Sequence, residues 1–348
     1  MKIFILFTLV ITIIYISTNF IFNSRSNISN VSFMDRRYTT ILKGIAILTI
    51  IWGHVGARLG VGSIQFIAGI GVTLFLICSG YGIMQSYISK GLEKYWIKKW
   101  IKVIVPFYIV EIIGLFCIKK ISFAIVLKDF LFLKPATAYG WYMGYIIICY
   151  LIFWIIMKLG SYFNIKIEKR ITGILLIFMI WFIFDSIFLA NPSMSFLRAR
   201  QMLSFPFGVV LAYIVSEKIN SFDHLIHKST LFAIMLGCIL VGLGMMFVTQ
   251  FEVVKNLPYI LSNILSLFTC LPLAISIMIF VNLLPEFSMN VFLNILGVYS
   301  YELYLVHAFS LSIIKPTILS LISFIAITII GFLLLRFINK QLSKRVGM

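Results

Sequence analysis

Apolar residues run in blocks long enough to cross a bilayer, and the blocks recur from one end of the chain to the other. They fall at about residues 3–22, 40–58, 64–86, 102–118, 139–157, 171–190, 201–216, 231–249, 259–283, 290–313 and 316–335. Polar residues collect in the short connections, none of which is long enough to hold a second folded domain. The pattern predicts an all-α, polytopic integral membrane helical bundle of about ten to eleven transmembrane helices. The 201–216 block is short and carries Pro206 and Gly208, which makes it the weakest span. Residues 1–22 follow the single charge of Lys2, and no small-residue cleavage site comes after them. They read as a retained first helix and not as a signal peptide. The chain thus divides into an extra helix with its linker, 1–35, and a membrane domain, 36–348, ending in a short cytoplasmic tail.

Composition agrees with that class: 61% hydrophobic and 11% charged residues, with a mean hydropathy of +1.08. The net charge of +18 would suit nucleic acid only if it sat on an exposed basic domain, and it does not. Placing the 23–43 connection in the cytoplasm puts 19 of the 29 Lys and Arg residues on that side. This asymmetry orients the bundle with an outer N-terminus, an inner C-terminus and residues 87–101 inside. Four lysines between 119 and 134 break the pattern, and that stretch reads as an amphipathic element on the outer surface. Cys78, Cys117, Cys149, Cys238 and Cys270 lie singly in apolar blocks and read as small core residues, not as disulfides or metal ligands. The wealth of Ile, Phe, Lys and Asn, residues of AT-rich codons, points to a low-GC bacterium and so to a bacterial cytoplasmic membrane.

Ionisable residues inside a membrane are expensive and mark candidate sites. Lys43 and His54 are eleven positions apart on one predicted helix, close to three turns, so they share a face and are separated by roughly 16 Å along the axis. A lysine at the cytoplasmic end and a histidine deeper on the same stripe suit a long ligand, anionic at one end and reacting at the other. The same spacing also suits a lysine that snorkels to the interface and a histidine that satisfies a neighbouring carbonyl. A second cluster, Ser300, Tyr301, Glu302, Tyr304 and His307, places Ser300, Tyr304 and His307 on one helical face. His307 reads either as a second catalytic histidine or as a hydrogen-bonded packing residue. Glu111 and Asp185 are intramembrane acids, and with Glu302 they are candidates to orient a histidine. His224 and His227 lie in a polar loop and read as solvated.

Several segments match one family in order. LKGIAILTIIWGH (42–54) resembles the first-motif helix of the membrane acyltransferase 3 family, in which a basic residue, ten residues and a histidine open the membrane domain. GVTLFLICSGYGI (71–83) is similar to that family's helix ending in a Ser-Gly-aromatic turn, here Ser79 and Tyr81. KYWIKKWIKVIVPFYIV (94–110) resembles its basic stretch leading into a Pro-broken helix. WYMGYIIICY (141–150), FPFGVVLAY (205–213) and VYSYELYLVHAF (298–309) complete the series. The resemblance implies transfer of an acyl group, usually acetyl from acetyl-CoA or another acyl-CoA as co-substrate, with no bound cofactor or metal. The acceptor it implies is a glycan hydroxyl, such as that of a capsule or exopolysaccharide or its lipid-linked precursor.

Under that resemblance His54 and His307 are the catalytic candidates, since imidazole accepts a proton near neutrality. Arg36, Arg37, Lys43, Lys98 and Lys99 are the donor-phosphate candidates, as cations on the cytoplasmic side. Ser79, Tyr81, Trp141, Tyr301 and Tyr304 are further pocket candidates, although Trp141 and Tyr142 also fit an aromatic belt at the outer interface. The chain has Ile146, Ile147 and Ile148 where many members carry adjacent glutamates, and no appended extracytoplasmic hydrolase-like domain is expected. The expected partners are membrane lipid, an acyl-CoA and a glycan, and not nucleic acid. A secondary transporter or flippase of a lipid-linked glycan shares the helix count, but the paired broken repeats common in transporters are not visible. A sensor or scaffold would leave the Lys43–His54 stripe without a purpose.

Overall fold

The computed structural model describes residues 1–23, 32–119, 122–131, 140–188, 198–225, 227–284 and 290–345, and these are helical almost throughout, with no strand among them. Eight helices are long and apolar enough to cross a membrane. They are α1 (Lys2–Asn23), α2 (Arg36–Arg58), α3 (Phe66–Lys90, extended to Gly62 by a short 3-10 turn), α7 (Trp141–Tyr162), α8 (Ile167–Phe188), α10 (Lys228–Val248), α12 (Tyr259–Leu283) and α15 (Ile318–Arg345). Between them lie α4 (Tyr95–Lys99), α5 (Val105–Ile112), α6 (Phe123–Phe130), α9 (Ser204–Leu225), α11 (Glu252–Lys255), α13 (Val291–Val298) and α14 (Ser300–Ser310).

Three expected spans take forms that hydropathy does not show. The 290–313 block is not one straight helix: α13 and α14 meet at Tyr299 with a bend of 76°. Asn290 caps α13 by accepting from the Leu293 amide at 2.9 Å. The cause of the bend is close packing. A Cβ on Gly44 would strike the Leu293 carbonyl, and one on Gly297 would strike the Thr40 carbonyl, so α13 lies backbone to backbone across α2. The 102–118 block is a helical run with π-turns at Trp100–Ile104 and Ile113–Lys119 on either side of α5. Pro106 lacks an amide hydrogen and would crowd the carbonyl one turn back, and the π-turn before it relieves both. The 201–216 block is uninterrupted: Pro206 sits in the first turn of α9, where no amide is missed. Gly208 serves close approach to Ile77.

The Ser79-Gly80-Tyr81 sequence is not a turn either, because α3 continues through Lys90. Gly80 lets the Phe205 carbonyl of α9 approach, so this glycine packs helices together. In the 119–134 stretch, α6 buries Val126 and Asp129 and exposes Lys128. The ring of Phe130 stacks on Tyr108 at 4.5 Å. Lys120 and Lys134 of that stretch lie outside the described residues, as do the side chains of Cys117 and His224; His227 is exposed.

At the centre, α2 and α3 pack against α9, α13 and α14 around a core that includes Tyr38, Ile47, Leu74, Phe153 and Phe205. Asp35 fixes the start of α2 by accepting from the Tyr38 amide at 2.7 Å. The Tyr38 hydroxyl donates to the Met278 carbonyl of α12. Near the other end of α2, Trp52 donates from Nε1 to Thr8 Oγ1 of α1 at 2.9 Å. Sidedness follows from the lysine asymmetry and is checked by labelling. Ser63→Cys is expected to react with an impermeant maleimide in intact cells, and Ser89→Cys only after permeabilisation. Labelling of Ser89→Cys in intact cells would invert the bundle.

Candidate functional site: a histidine pair between two cavities

α2 and α14 bring together two residues that are 253 positions apart. His54 Nδ1 lies 3.1 Å from His307 Nε2, with the ring planes within 8° of each other. His307 is fully buried and His54 is 8% exposed. The protonation pattern follows from the partners. His307 Nδ1 lies 2.6 Å from the Tyr304 carbonyl and 3.1 Å from the Leu303 carbonyl, which only accept, so Nδ1 carries the hydrogen. In the neutral ring His307 Nε2 then holds the lone pair, and His54 Nδ1–H donates to it. That tautomer leaves the lone pair of His54 on Nε2, the form a general base requires. A proton gained there makes an imidazolium whose Nδ1–H is already held by His307.

Two cavities lie at opposite ends of α2, and one of them is lined by His54. A cavity of about 770 Å³ is lined by His54, Gln65, Trp141, Arg200, Gln250 and Tyr304. A second, of about 590 Å³, is lined by Lys43, Ser79, Lys102, Tyr301, Arg336 and Lys340 among others, and also by Tyr304. The Tyr304 ring sits 5.5 Å from His307, 5.0 Å from Tyr142 and 6.2 Å from Phe75, centroid to centroid. Tyr304 is therefore the side chain at which the two spaces meet. A smaller cavity of about 240 Å³ shares Lys43 and Ser79 with the second and adds Lys98 and Lys99.

The basic cavities are built tightly. Lys99 Nζ lies 4.1 Å above the Tyr150 ring. Ser79 hydrogen-bonds the Tyr150 hydroxyl at 2.8 Å, and Tyr95 donates to the Tyr150 carbonyl at 2.9 Å. Lys98 donates to the Glu93 carbonyl at 3.3 Å. Burial, with the like charges of Lys102, Lys43 and Lys98 added, pushes the Lys99 ammonium down to about 7.

The structure separates the remaining candidates. Arg36 is exposed, and neither Arg36 nor Arg37 lines the basic cavities. Their place is taken by Lys102, Arg336 and Lys340, which read in the sequence only as members of positive-inside clusters. The i, i+4 spacing of Arg336 and Lys340 was the available signal. Arg336 stacks over Tyr299 at 4.3 Å, at the bend itself. Tyr301 lines the larger basic cavity and donates to the Val103 carbonyl at 2.6 Å. Tyr81 is buried and accepts from Gln85 at 3.3 Å, away from these cavities. Trp141 lines the His54 cavity, which a belt residue would not need to do.

Each candidate acid contacts a group other than His54, whose Nδ1 lies against His307. Asp185 pairs with Arg198 at 3.4 Å, Glu111 shares a hydrogen bond with Asp129, and Glu302 accepts from Asn339 at 3.3 Å in the basic cavity. Ile146 lines that cavity where the resemblance suggested a carboxylate. Arg200 was missed because, with Arg198, it sits at the edge of the weakest hydrophobic block, where cations flanking a span are ordinary.

No curated protein and no solved structure matches the chain. A family model for acyltransferase 3, described as an acyltransferase domain, matches residues 36–338, from the first residue of α2 into α15. That match takes in Lys43, His54, Tyr304, His307 and both cavities, and with a polytopic bundle around them the chain belongs to the acyltransferase 3 family of membrane acyltransferases.

Proposed function

We propose that the protein moves an acetyl group from cytoplasmic acetyl-CoA to a hydroxyl of a surface polysaccharide or its lipid-linked precursor. The observation that carries this reading is the His54–His307 pair between a basic cavity on the Lys43 side and a second cavity opposite. A CoA thioester has phosphates at one end and its acyl carbon at the other, and the Lys43–His54 stripe offers charge and base in that order. In the reaction His54 Nε2 takes the proton of the acceptor hydroxyl as its oxygen attacks the thioester carbonyl. The carbon–sulfur bond then breaks, and the proton passes to the departing CoA sulfur. The protein is thereby returned to its starting tautomer, with an ester and free CoA as products. Capsule or exopolysaccharide as the acceptor, and a bacterial cytoplasmic membrane as the location, follow from the family resemblance and the composition.

Donor binding tests the first half. Purified wild-type protein is expected to bind acetyl-CoA, and Lys43→Glu to bind it roughly 10- to 100-fold more weakly, the worth of one charge-assisted phosphate contact before the added repulsion. The same titration has a pH signature. Lys99 is about 7 when the site is empty, and a bound phosphate raises it. Binding therefore takes up a proton between the two values, so affinity is greatest below pH 7 and falls as pH rises through that range, by up to tenfold per unit. Equal affinity in Lys43→Glu and wild type would remove Lys43 from the donor site.

A further inference from the structure

α10 is held to the bundle along one stripe. Met235 and Gly242 are its buried residues, and Gly242 lets Leu273 of α12 come close. On the flank beside that stripe, Leu243, Met246 and Phe247 line the His54 cavity. Leu243 is nevertheless 48% exposed and Phe247 66%, so both stand at the edge of the cavity and not in its depth. On a helix that spans a membrane such exposure is to lipid, and the His54 cavity therefore borders the bilayer along α10.

The lining is graded along the bundle. Ser63, Gln65 and Gln250 lie just outside α3 and α10, at the end remote from the basic cavities, and with Trp141 at the head of α7 they make that end polar. Val72 in the second turn of α3, with Leu243 and Phe247 in the last two turns of α10, makes the part nearer the bilayer core apolar. His54 lies at the junction, since its neighbour Gly53 packs against Ala68, one turn before Val72. A glycan in water needs only the polar end, where amides, a hydroxyl and an indole meet a sugar ring. The apolar, lipid-facing edge suits a ligand that is itself apolar at one end. Such a ligand keeps its hydrocarbon in the bilayer while its sugar reaches the base.

We infer that the acceptor is membrane-anchored: a glycan on a hydrocarbon chain that enters sideways past α10, with the chain along Leu243 and Phe247 and a sugar hydroxyl at His54. This rests on the acyl-transfer reading above and, of the two acceptor forms named there, selects the lipid-linked one. Leu243 and Phe247 hold the chain and take no part in the proton transfer.

The test is binding without donor, so that it stands apart from catalysis. Glycolipid is extracted from cells that lack the protein, tritium-labelled in its sugar and divided, and the hydrocarbon chain is removed chemically from one half. Each half is incubated with wild type, Leu243→Trp or Leu240→Trp in lipid nanodiscs, and retention on empty nanodiscs is subtracted. Wild type is expected to retain the intact glycolipid at least about tenfold better than the detached glycan. Leu243→Trp puts a bulkier ring at the cavity edge and is expected to lose about tenfold of that retention by exclusion, with acetyl-CoA binding showing that the protein is folded. Leu240 is 73% exposed and does not line the cavity, so Leu240→Trp is expected to retain the glycolipid as wild type does. Equal retention of intact and detached glycan by wild type, or equal retention of the glycolipid by the two tryptophan variants, overturns the assignment; the wild-type comparison stands even if Leu243→Trp fails to fold. An acetyl-transfer assay on the same samples separates the two claims. Chain-dependent binding with no transfer keeps the hydrocarbon site and refutes the acyl-transfer reading, whereas transfer to intact and detached glycan alike does the reverse.

Discussion

His54→Ala is expected to lower acetyl transfer by on the order of 10²- to 10⁴-fold with the protein still present and inserted in the membrane. The imidazole lines the cavity opposite the basic one, and its Nδ1 is already engaged by His307 at 3.1 Å. Alanine removes the base without removing the donor cavity, so acetyl-CoA binding measured on the same sample is expected to persist while turnover is lost. Truncating one residue that borders a cavity leaves a void that is open already, and little collapse is expected around it. A turnover rate close to wild type in His54→Ala would refute the assignment of the base.

The second large effect is expected at His307, and it has a graded form. His307 touches the base and not the acceptor, so it acts as a positioning residue. It holds the His54 tautomer and shares the charge that develops on the ring. His307→Ala removes one charge-assisted hydrogen bond, which costs roughly 10- to 100-fold in rate. His307→Gln offers an amide oxygen that can accept from His54 Nδ1–H, and is expected to recover part of that loss. The burial of His307 against Leu303, Tyr304 and Ser310 makes a structural effect of alanine possible. Rescue by glutamine is the readout that a purely structural role would not produce in the rate while leaving acetyl-CoA binding equal in all three proteins. Equal rates for His307→Ala and wild type would reduce His307 to a packing residue.

How much of this was legible in the sequence depends on whether the relation is local. Lys43 and His54 share a helix, so periodicity alone aligned them, and hydropathy alone found eight of the spans. The face of Ser300, Tyr304 and His307 was readable for the same reason, since α14 holds all three. That His307 faces His54 was not, because their pairing depends on how α14 leaves α13. The bend at Tyr299 has no proline to announce it. It follows from Gly44 and Gly297 admitting a backbone crossing, which is a property of two segments about 250 residues apart. The partners of the acids were not legible for a related reason: a buried carboxylate needs a partner, and nothing in the sequence tied Asp185 to Arg198 or Glu111 to Asp129. Arg336 and Lys340 were hidden by the positive-inside rule itself, which explains any cytoplasmic cation without a ligand. Arg200 was hidden by its place beside Arg198 at the edge of a span, where a cation is ordinary.

The central claim, transfer of acetyl by His54 onto a surface glycan, is tested most directly in cells whose own copy is replaced by His54→Ala. Surface polysaccharide and its acetyl content are measured on the same preparation, with membrane protein level checked by immunoblot. The account predicts an unchanged amount of polysaccharide with its acetyl groups lost. Polysaccharide that is acetylated as in wild type would contradict the role of His54. Loss of the polysaccharide itself would contradict acyl transfer and indicate a flippase.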